Sequence, residues 1–274
     1  MSIKISKKII TTYLLKDIKS NGLGRKPKVE IWRIMKAIIY RLKTGCQWRE
    51  LPIKAFFDEV TISWNTVYYY FNKWSKQGFM KSIWQELLSL NTKLLDLSSM
   101  QLDGSHTPAK RGGAAVAYQK RKQAKTTNAL FLTDRKGMPL AMSPPQAGNQ
   151  NDLFLIEASV SKMLKDCQAA NIGTNYLFMN ADAGFDSHGF RKFCYQNDII
   201  ANIDFNKRNA KNTDRNYLFD PLLYKHRFVV ERTNAWVDAY KALIIRFETR
   251  IDTWASLHYL AFCLILLKSK TNHF

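Results

Sequence analysis

The chain has 274 residues, 46% of them hydrophobic and 13% aromatic, which excludes a disordered segment and allows one large or two ordinary domains. Lys and Arg number 42 against 22 Asp and Glu, a formal charge of +20. An excess of that size points to a polyanionic partner, nucleic acid before an anionic membrane surface.

Four cysteines, Cys46, Cys167, Cys194 and Cys263, lack CxxC spacing. That argues against zinc and against a disulfide framework, and suits a reducing cytoplasm. No long apolar run follows the charges of the first eight residues, so no secretory signal is evident. The most apolar stretch, Trp254 to Leu267, is too short for a bilayer span and reads as a buried terminal helix.

Residues 1 to about 25 are polar and Lys-rich. Pro27 suits the first turn of a helix in which Ile31, Ile34, Met35, Ile38, Ile39 and Leu42 recur at helical spacing, with Gly45 as C-cap. A short turn of helix from Gly45 is stopped by Pro52. Ser63 then caps a helix whose buried stripe is Val67, Tyr70, Phe71 and Trp74. Asn65, Thr66, Tyr69, Asn72, Lys73 and Lys76 face outward, and Gly78 ends it. This unit resembles a helix-turn-helix with a polar, basic outer face, so Asn65, Thr66, Tyr69 and Lys73 are candidate DNA contacts. A further helix, Met80 to Leu95, points Ile83, Leu87 and Leu88 inward.

From about residue 98 the pattern becomes α/β. Met100 to Asp103 reads as a strand, with Gly104 turning the backbone away. A loop, Thr107 to Lys125, carries Lys110, Arg111, Lys120, Arg121, Lys122 and Lys125 beside Asp103, where a phosphate-rich ligand would lie. Asn128 to Thr133 and Met138 to Met142 are strands joined by a hairpin turn, Asp134 to Gly137. Asn151 caps a helix carrying Leu153, Ile156, Val160, Met163 and Leu164. Tyr176 to Ala181 is a strand ending at Asp182, followed by a helix, Ser187 to Gln196, and a strand, Ile199 to Ile203. A polar connection, Asp204 to Asp220, contains Lys207, Arg208, Lys211 and Arg215. Helices Tyr224 to Phe247 and Asp252 to Lys268 close the chain.

That order matches a ribonuclease H-like mixed α/β sheet with helices on both faces, residues 98–274, preceded by an all-α, helix-turn-helix-like DNA-binding domain, residues 1–97. In such a sheet the first strand is central, the fourth lies beside it, and a late helix crosses their ends. Asp103, Asp182 and Glu231 then sit on three separate core elements. Tyr224, Arg227 and Glu231 share a helical face at i, i+3 and i+7. Two carboxylates ~4 Å apart repel by ~4 kcal/mol at an effective dielectric of 20, so such a cluster needs protons or cations. Oxygen-only ligands favour two Mg²⁺ or Mn²⁺ ions, which activate a nucleophile and stabilise the leaving oxygen of a phosphodiester. Simpler readings stand beside these. Asp182 suits a loop N-cap, with Asp186 as the rival carboxylate. Glu231 suits an i, i+4 ion pair with Arg227, His106 a loop position, and Asp152 the first turn of a helix.

Five blocks resemble DDE transposases of bacterial insertion sequences, closest to insertion-sequence family 5: Asp103-Gly-Ser-His-Thr, Lys110-Arg-Gly-Gly113, Lys125-Thr-Thr-Asn128, Leu132-Thr-Asp-Arg135 and Ala147-Gly-Asn149. Asn180-Ala-Asp182-Ala-Gly-Phe185-Asp186 is similar to that group's second-carboxylate block, in which the first Asp is the ligand. His226-Arg-Phe-Val-Val-Glu231 to Trp236 is similar to the third, and Tyr224, Arg227 and Glu231 to the start of its Tyr-Arg-Glu-Lys signature. The Lys expected next falls on Asp238, with Lys241 a turn later. Thr44 to Pro52 and Val67 to Trp74 match the family's N-terminal domain. The resemblance implies catalytic, metal-holding Asp103, Asp182 and Glu231, and phosphate-holding Tyr224 and Arg227. It implies a bacterial, cytoplasmic, nucleoid-associated enzyme that cuts double-stranded DNA at its element's terminal inverted repeats and joins the freed ends to target DNA. It further implies a homodimer on synapsis. The alternative is a DNA-binding repressor of the same descent without catalysis.

Overall fold

The computed structural model describes residues 5–16, 29–57, 62–206 and 218–271. Pro27 and the basic residues Lys207, Arg208, Lys211 and Arg215 lie outside them. The chain forms two compact units, residues 1–87 with 237–274, and residues 88–236. This partition differs from the expected one at residue 97/98, because the last helices pack with the N-terminal ones.

In the helical unit, α1 (Lys7–Ile9) runs into a π-turn, Ile10–Leu14, that buries Ile10 and Leu14. α2 (Ile31–Thr44) buries the expected apolar stripe except Ile31, which is half-buried. It ends on Gly45 at φ +68, whose amide donates to Arg41 O at 2.8 Å. A side chain at Gly45 would be strained there and would meet Lys241. A 3-10 turn, Trp48–Glu50, and α3 (Ile53–Phe57) precede α4 (Trp64–Lys76). Ser63 occupies the N-cap of α4 without bonding it through its side chain. α5 (Phe79–Leu90) follows, shorter than expected and succeeded by a separate 3-10 turn, Thr92–Leu94.

The sheet unit holds β1 (Ser99–Pro108), β2 (Ala117–Gln119), β3 (Ala124–Thr133), β4 (Pro139–Met142), β5 (Gln146–Ala147), α6 (Ile156–Ala169), β6 (Phe178–Ala181), α7 (His188–Gln196) and β7 (Ile200–Ile203). The main strand order is β2-β3-β1-β6-β7, with β4 and β5 both pairing β3. β1 runs antiparallel to β3 and parallel to β6, and β6 runs parallel to β7. Leaving out β2 and β5, the sequence β4-β3-β1-β6-β7 is the expected ribonuclease H-like order with β1 central. Asp134 closes the β3–β4 turn: its Oδ1 accepts from the amides of Lys136 and Met138, and its Oδ2 from that of Asp96.

Four expectations need correction. β1 does not end at Asp103 but continues to Pro108. The stretch expected as a loop is largely a β2–β3 hairpin with a 3-10 turn, Lys120–Lys122, at its tip. α6 starts at Ile156, not after Asn151, because Leu155 holds a left-handed φ of +49. The expected continuous helix from Tyr224 to Phe247 is four pieces: α8 (Pro221–Tyr224), a 3-10 turn Lys225–Val229, α9 (Val230–Asp238) and α10 (Lys241–Ile244). Tyr240, at φ −96 and ψ 96, breaks the last two apart.

α10 and the final α11 (Ile251–Thr271) belong with the helical unit. α11 has the length and composition of a membrane-crossing helix, but 78% of its apolar window is buried. Phe262 packs against Trp84 with ring centroids 5.6 Å apart. It is a core helix, as its sequence suggested. The segment before it is locked by a buried ion pair, Arg41 Nη2 to Glu248 Oε1 at 2.9 Å, and Trp48 Nε1 donates to the same oxygen at 3.4 Å.

Candidate functional site

Asp103 lies in the middle of β1, opposite Phe131 of β3. On its other side the parallel pairing with β6 stops at Gln101↔Asn180. Asp103 and Asp182 each stand two residues beyond that last pair, so register aligns them where β1 and β6 part, at the end of β6. β6 pairs with β7 at Asn180↔Asn202, which adds Asp204 to the same row.

Asp182 is exposed, and its Oδ1 accepts from the Gly184 amide at 2.7 Å, capping a 3-10 turn, Ala183–Phe185. The capping reading is therefore realised, with one carboxylate oxygen. The rival Asp186 is buried and already engaged: Arg191 Nε donates to its Oδ1 at 2.8 Å and the Asn206 amide to its Oδ2 at 2.9 Å. Glu231 is exposed in the first turn of α9, with Asn234 Nδ2 at 3.3 Å from its Oε2. It forms no ion pair with Arg227. That guanidinium lies over two rings instead, 5.1 Å from the Tyr224 centroid and 3.8 Å from that of Phe228. Three residues per turn in the 3-10 segment keep Tyr224 and Arg227 stacked although the expected α-helix is absent.

The segment bearing these residues is braced by the β3–β4 turn. Arg135 Nη2 donates to His226 Nε2 at 3.0 Å, Arg232 Nη1 donates to Lys136 O at 3.1 Å, and Thr233 Oγ1 donates to Gly137 O. Gly137, at φ +85, leaves only 3.0 Å between a would-be β-carbon and Val229 O.

Burial pushes the Asp103 carboxyl up to about 7. The negative charges of Asp152, Asp182 and Glu231 add to the rise, and a hydrogen bond from the Gly104 amide opposes it. Asp182 and Glu231 thus lie within electrostatic reach of Asp103. Among the described residues, however, no three His, Cys, Asp or Glu side chains gather tightly enough to hold a metal ion. The donor set is carboxylate only, and one member prefers a proton near neutrality. That chemistry fits a hard divalent cation.

Asp152 is the acid that sequence reasoning misplaced. It precedes α6 rather than opening it, accepts from Asn128 Nδ2 at 2.7 Å, and packs over Gly104. The signal was available: a glycine inside a strand marks a close approach by something else. Strand alternation turns positions 103 and 104 to opposite faces, so Asp152 acts on Asp103 from across β1. His106 is likewise a strand residue and not a loop one, sharing a hydrogen bond with Thr126 Oγ1 at 3.1 Å.

Burial raises the Tyr224 hydroxyl pKa. Arg227 opposes that shift, while Asp204 and Asp182 add to it. Lys110, Arg111, Lys120, Arg121, Lys122 and Lys125 are all exposed. Burial lowers the His106 pKa, and Lys122 and Arg121 lower it further, which places the hairpin tip close to β1. On α4, Asn65, Tyr69 and Lys73 are exposed and Thr66 is half-buried, while Val67, Phe71 and Trp74 are buried. Tyr70, expected in the stripe, is half-buried.

Residues 102–268 match the family described as "DDE superfamily endonuclease", and residues 8–84 match "Putative transposase of IS4/5 family". No curated protein matches the chain. Among solved structures it is similar to a Mos1 transposase paired-end complex with left transposon end, at 11% identity over 93% of this chain and 82% of that one, TM-score 0.31. It is also similar to a pre-cleavage Mos1 transpososome, at 11% identity over 94% and 84%, TM-score 0.29. At such low TM-scores these likenesses transfer no residue and no role.

Proposed function

The chain belongs to the DDE superfamily endonuclease family, in its IS4/5 transposase branch, and on that premise we propose that it binds the terminal inverted repeats of its own element, hydrolyses a DNA strand at each end and joins the freed 3′-hydroxyls to target DNA. The observation that carries this reading is the alignment of Asp103 and Asp182, each two residues past the last parallel pair of β1 and β6, with Glu231 near enough to raise the proton affinity of Asp103. Asp103, Asp182 and Glu231 are the residues that would hold two Mg²⁺ or Mn²⁺ ions. Such ions, when bound, supply charge neutralisation and nucleophile activation at a phosphodiester.

The chain's own part is to bind, orient and steer. Arg227, held over the Tyr224 and Phe228 rings, presents a pre-oriented cation to a phosphate. Tyr224 offers a protonated hydroxyl whose pKa burial raises further, with Asp204 and Asp182 adding to the rise and Arg227 opposing it. The exposed basic residues Lys110 and Arg111, ahead of β2, and Lys120, Arg121, Lys122 and Lys125 of the β2–β3 hairpin follow the DNA backbone leading to the acids. Asn65, Thr66, Tyr69 and Lys73 on α4 read the repeat. Two copies act together when two ends are synapsed.

The test uses the purified full chain and a duplex carrying the inverted repeats that flank its gene. With Mg²⁺ or Mn²⁺, strand cleavage at the repeat end leaving a 3′-hydroxyl supports the reading. A gel shift without nicking overturns it in favour of a non-catalytic DNA-binding protein. Cleavage indifferent to the repeat, without end joining, overturns it in favour of a structure-specific nuclease.

A further inference from the structure

Three strands of the sheet repeat one local pattern: an amide side chain two residues ahead of an aspartate. The pairs are Gln101 and Asp103, Asn180 and Asp182, Asn202 and Asp204. The strands carry the amides in lateral register, Gln101↔Asn180 and Asn180↔Asn202. All three are fully buried, where polar side chains persist only if bonded.

They are bonded to each other. Gln101 Nε2 donates to Ser99 Oγ at 3.0 Å, Asn180 Nδ2 to Gln101 Oε1 at 2.8 Å, and Asn202 Nδ2 to Asn180 Oδ1 at 2.7 Å. The ladder then leaves the sheet. Asn180 Nδ2 donates to Leu223 O at 3.1 Å. Asn202 Nδ2 donates to Asp220 O at 3.0 Å, and its Oδ1 accepts from the Asp220 amide at 2.8 Å. Asp220 in turn caps α8, accepting from the amides of Leu222 and Leu223. The amides therefore grip the start of the segment that runs through Tyr224 and Arg227 to Glu231.

We propose that Gln101, Asn180 and Asn202 are positioning residues, a buried amide ladder that holds the Asp220–Glu231 segment against the place where β1 and β6 part and present Asp103 and Asp182. An apolar trio would pack the same space but would leave this segment untied to any fixed register. Alternation puts each amide on the same face as the aspartate two residues on, so the ladder sets the spacing of the acids as well. The proposal rests on the assignment of Asp103, Asp182 and Glu231 as the acids.

The test compares the full chain with Asn202→Leu, which removes both ties to Asp220, and with Asn202→Asp, which keeps the shape and one acceptor. A Met163→Ala variant in the core of α6 controls for general loss of stability. The readouts are hydrogen exchange of residues 218–231, Mn²⁺ affinity by titration without DNA, and the kcat and KM of end cleavage.

Expected for either Asn202 variant is faster exchange in that segment while β1 and β6 stay protected. Mn²⁺ affinity falls and kcat drops by about tenfold or more, the scale of a small misplacement, with KM little changed. Met163→Ala shows none of these. Unchanged exchange in residues 218–231 in a folded Asn202→Asp protein overturns the proposal, as does a Met163→Ala protein that reproduces the same pattern. If Asn202→Leu does not fold, Asn202→Asp decides alone. Failure of the acid assignment looks different: Asp103→Asn and Glu231→Gln then leave Mn²⁺ affinity unchanged, whereas exchange still reads the ladder.

Discussion

A β-carbon on Gly104 would lie 2.2 Å from Oδ1 of Asp152. The two residues are 48 positions apart, yet the missing side chain of one is the seat of the other. Gly104→Ala must therefore displace Asp152 from its bond with Asn128. Overpacking of this kind costs about 1–3 kcal/mol, seen as a lower melting temperature. Asp152→Ser in the same chain removes the obstruction and restores most of the loss, giving a strong coupling in a double-mutant cycle.

The two aspartates of the second block are expected to separate cleanly. Asp182→Asn leaves the melting temperature nearly unchanged, because the side chain is exposed and an amide oxygen still caps Gly184, but it abolishes end cleavage. Asp186→Asn removes the buried negative charge paired with Arg191 and costs about 3–5 kcal/mol. A stability loss for Asp182→Asn, with cleavage retained, would reverse the assignment.

Asp103 has its proton affinity raised, so the sign of its effect on stability is unfavourable at neutral pH. The folded chain binds this proton more tightly than the unfolded one. Its stability contribution is therefore full below the unfolded carboxylate pKa and is lost as pH rises towards about 7. In metal-free buffer above pH 7, Asp103→Asn should melt higher than the parent, and the gap should close near pH 4. Added Mn²⁺ should stabilise the parent and not the variant.

His258 works in the opposite direction in the helical unit. It is buried on α11, and burial pushes its pKa down to about 4. The Trp254 carbonyl opposes that shift and the charge of Arg246 adds to it. Here the unfolded chain binds the proton more tightly, so stability is lost as pH falls from about 6.5 to about 4. The full effect is on the order of 3 kcal/mol. His258→Gln should flatten the melting curve across that window; an unchanged pH profile would refute the buried neutral imidazole.

Arg227→Ala should weaken DNA binding and lower cleavage while leaving Mn²⁺ affinity as it was. Arg227→Lys should rescue little, because an ammonium does not stack on the Phe228 ring as a guanidinium does. Gel shifts and metal titration measure the two effects separately.

Much of the sheet was legible because its signals are local. Asp134 and Gly137 announce their turn, and Gly45 announces the C-cap of α2. Errors arose where one neighbourhood was overridden by another. Gly104 looked like a turn residue, but it lies in a strand paired on both flanks. Tyr224 to Phe247 looked like one amphipathic helix, but the cap at Asp220 and the break at Tyr240 cut it into pieces.

The amino-acid order alone determined most of the elements, their succession, and that Asp182 follows the end of its strand, since capping, periodicity and turn chemistry act over a few residues. Tertiary structure decided the rest. It set the lateral register that lines up Gln101, Asn180 and Asn202, the approach of Asp152 to Gly104, and the packing of α10 and α11 with the N-terminal helices. These depend on contacts between residues distant in the chain. Those contacts follow from strand pairing and burial, and no local pattern encodes them.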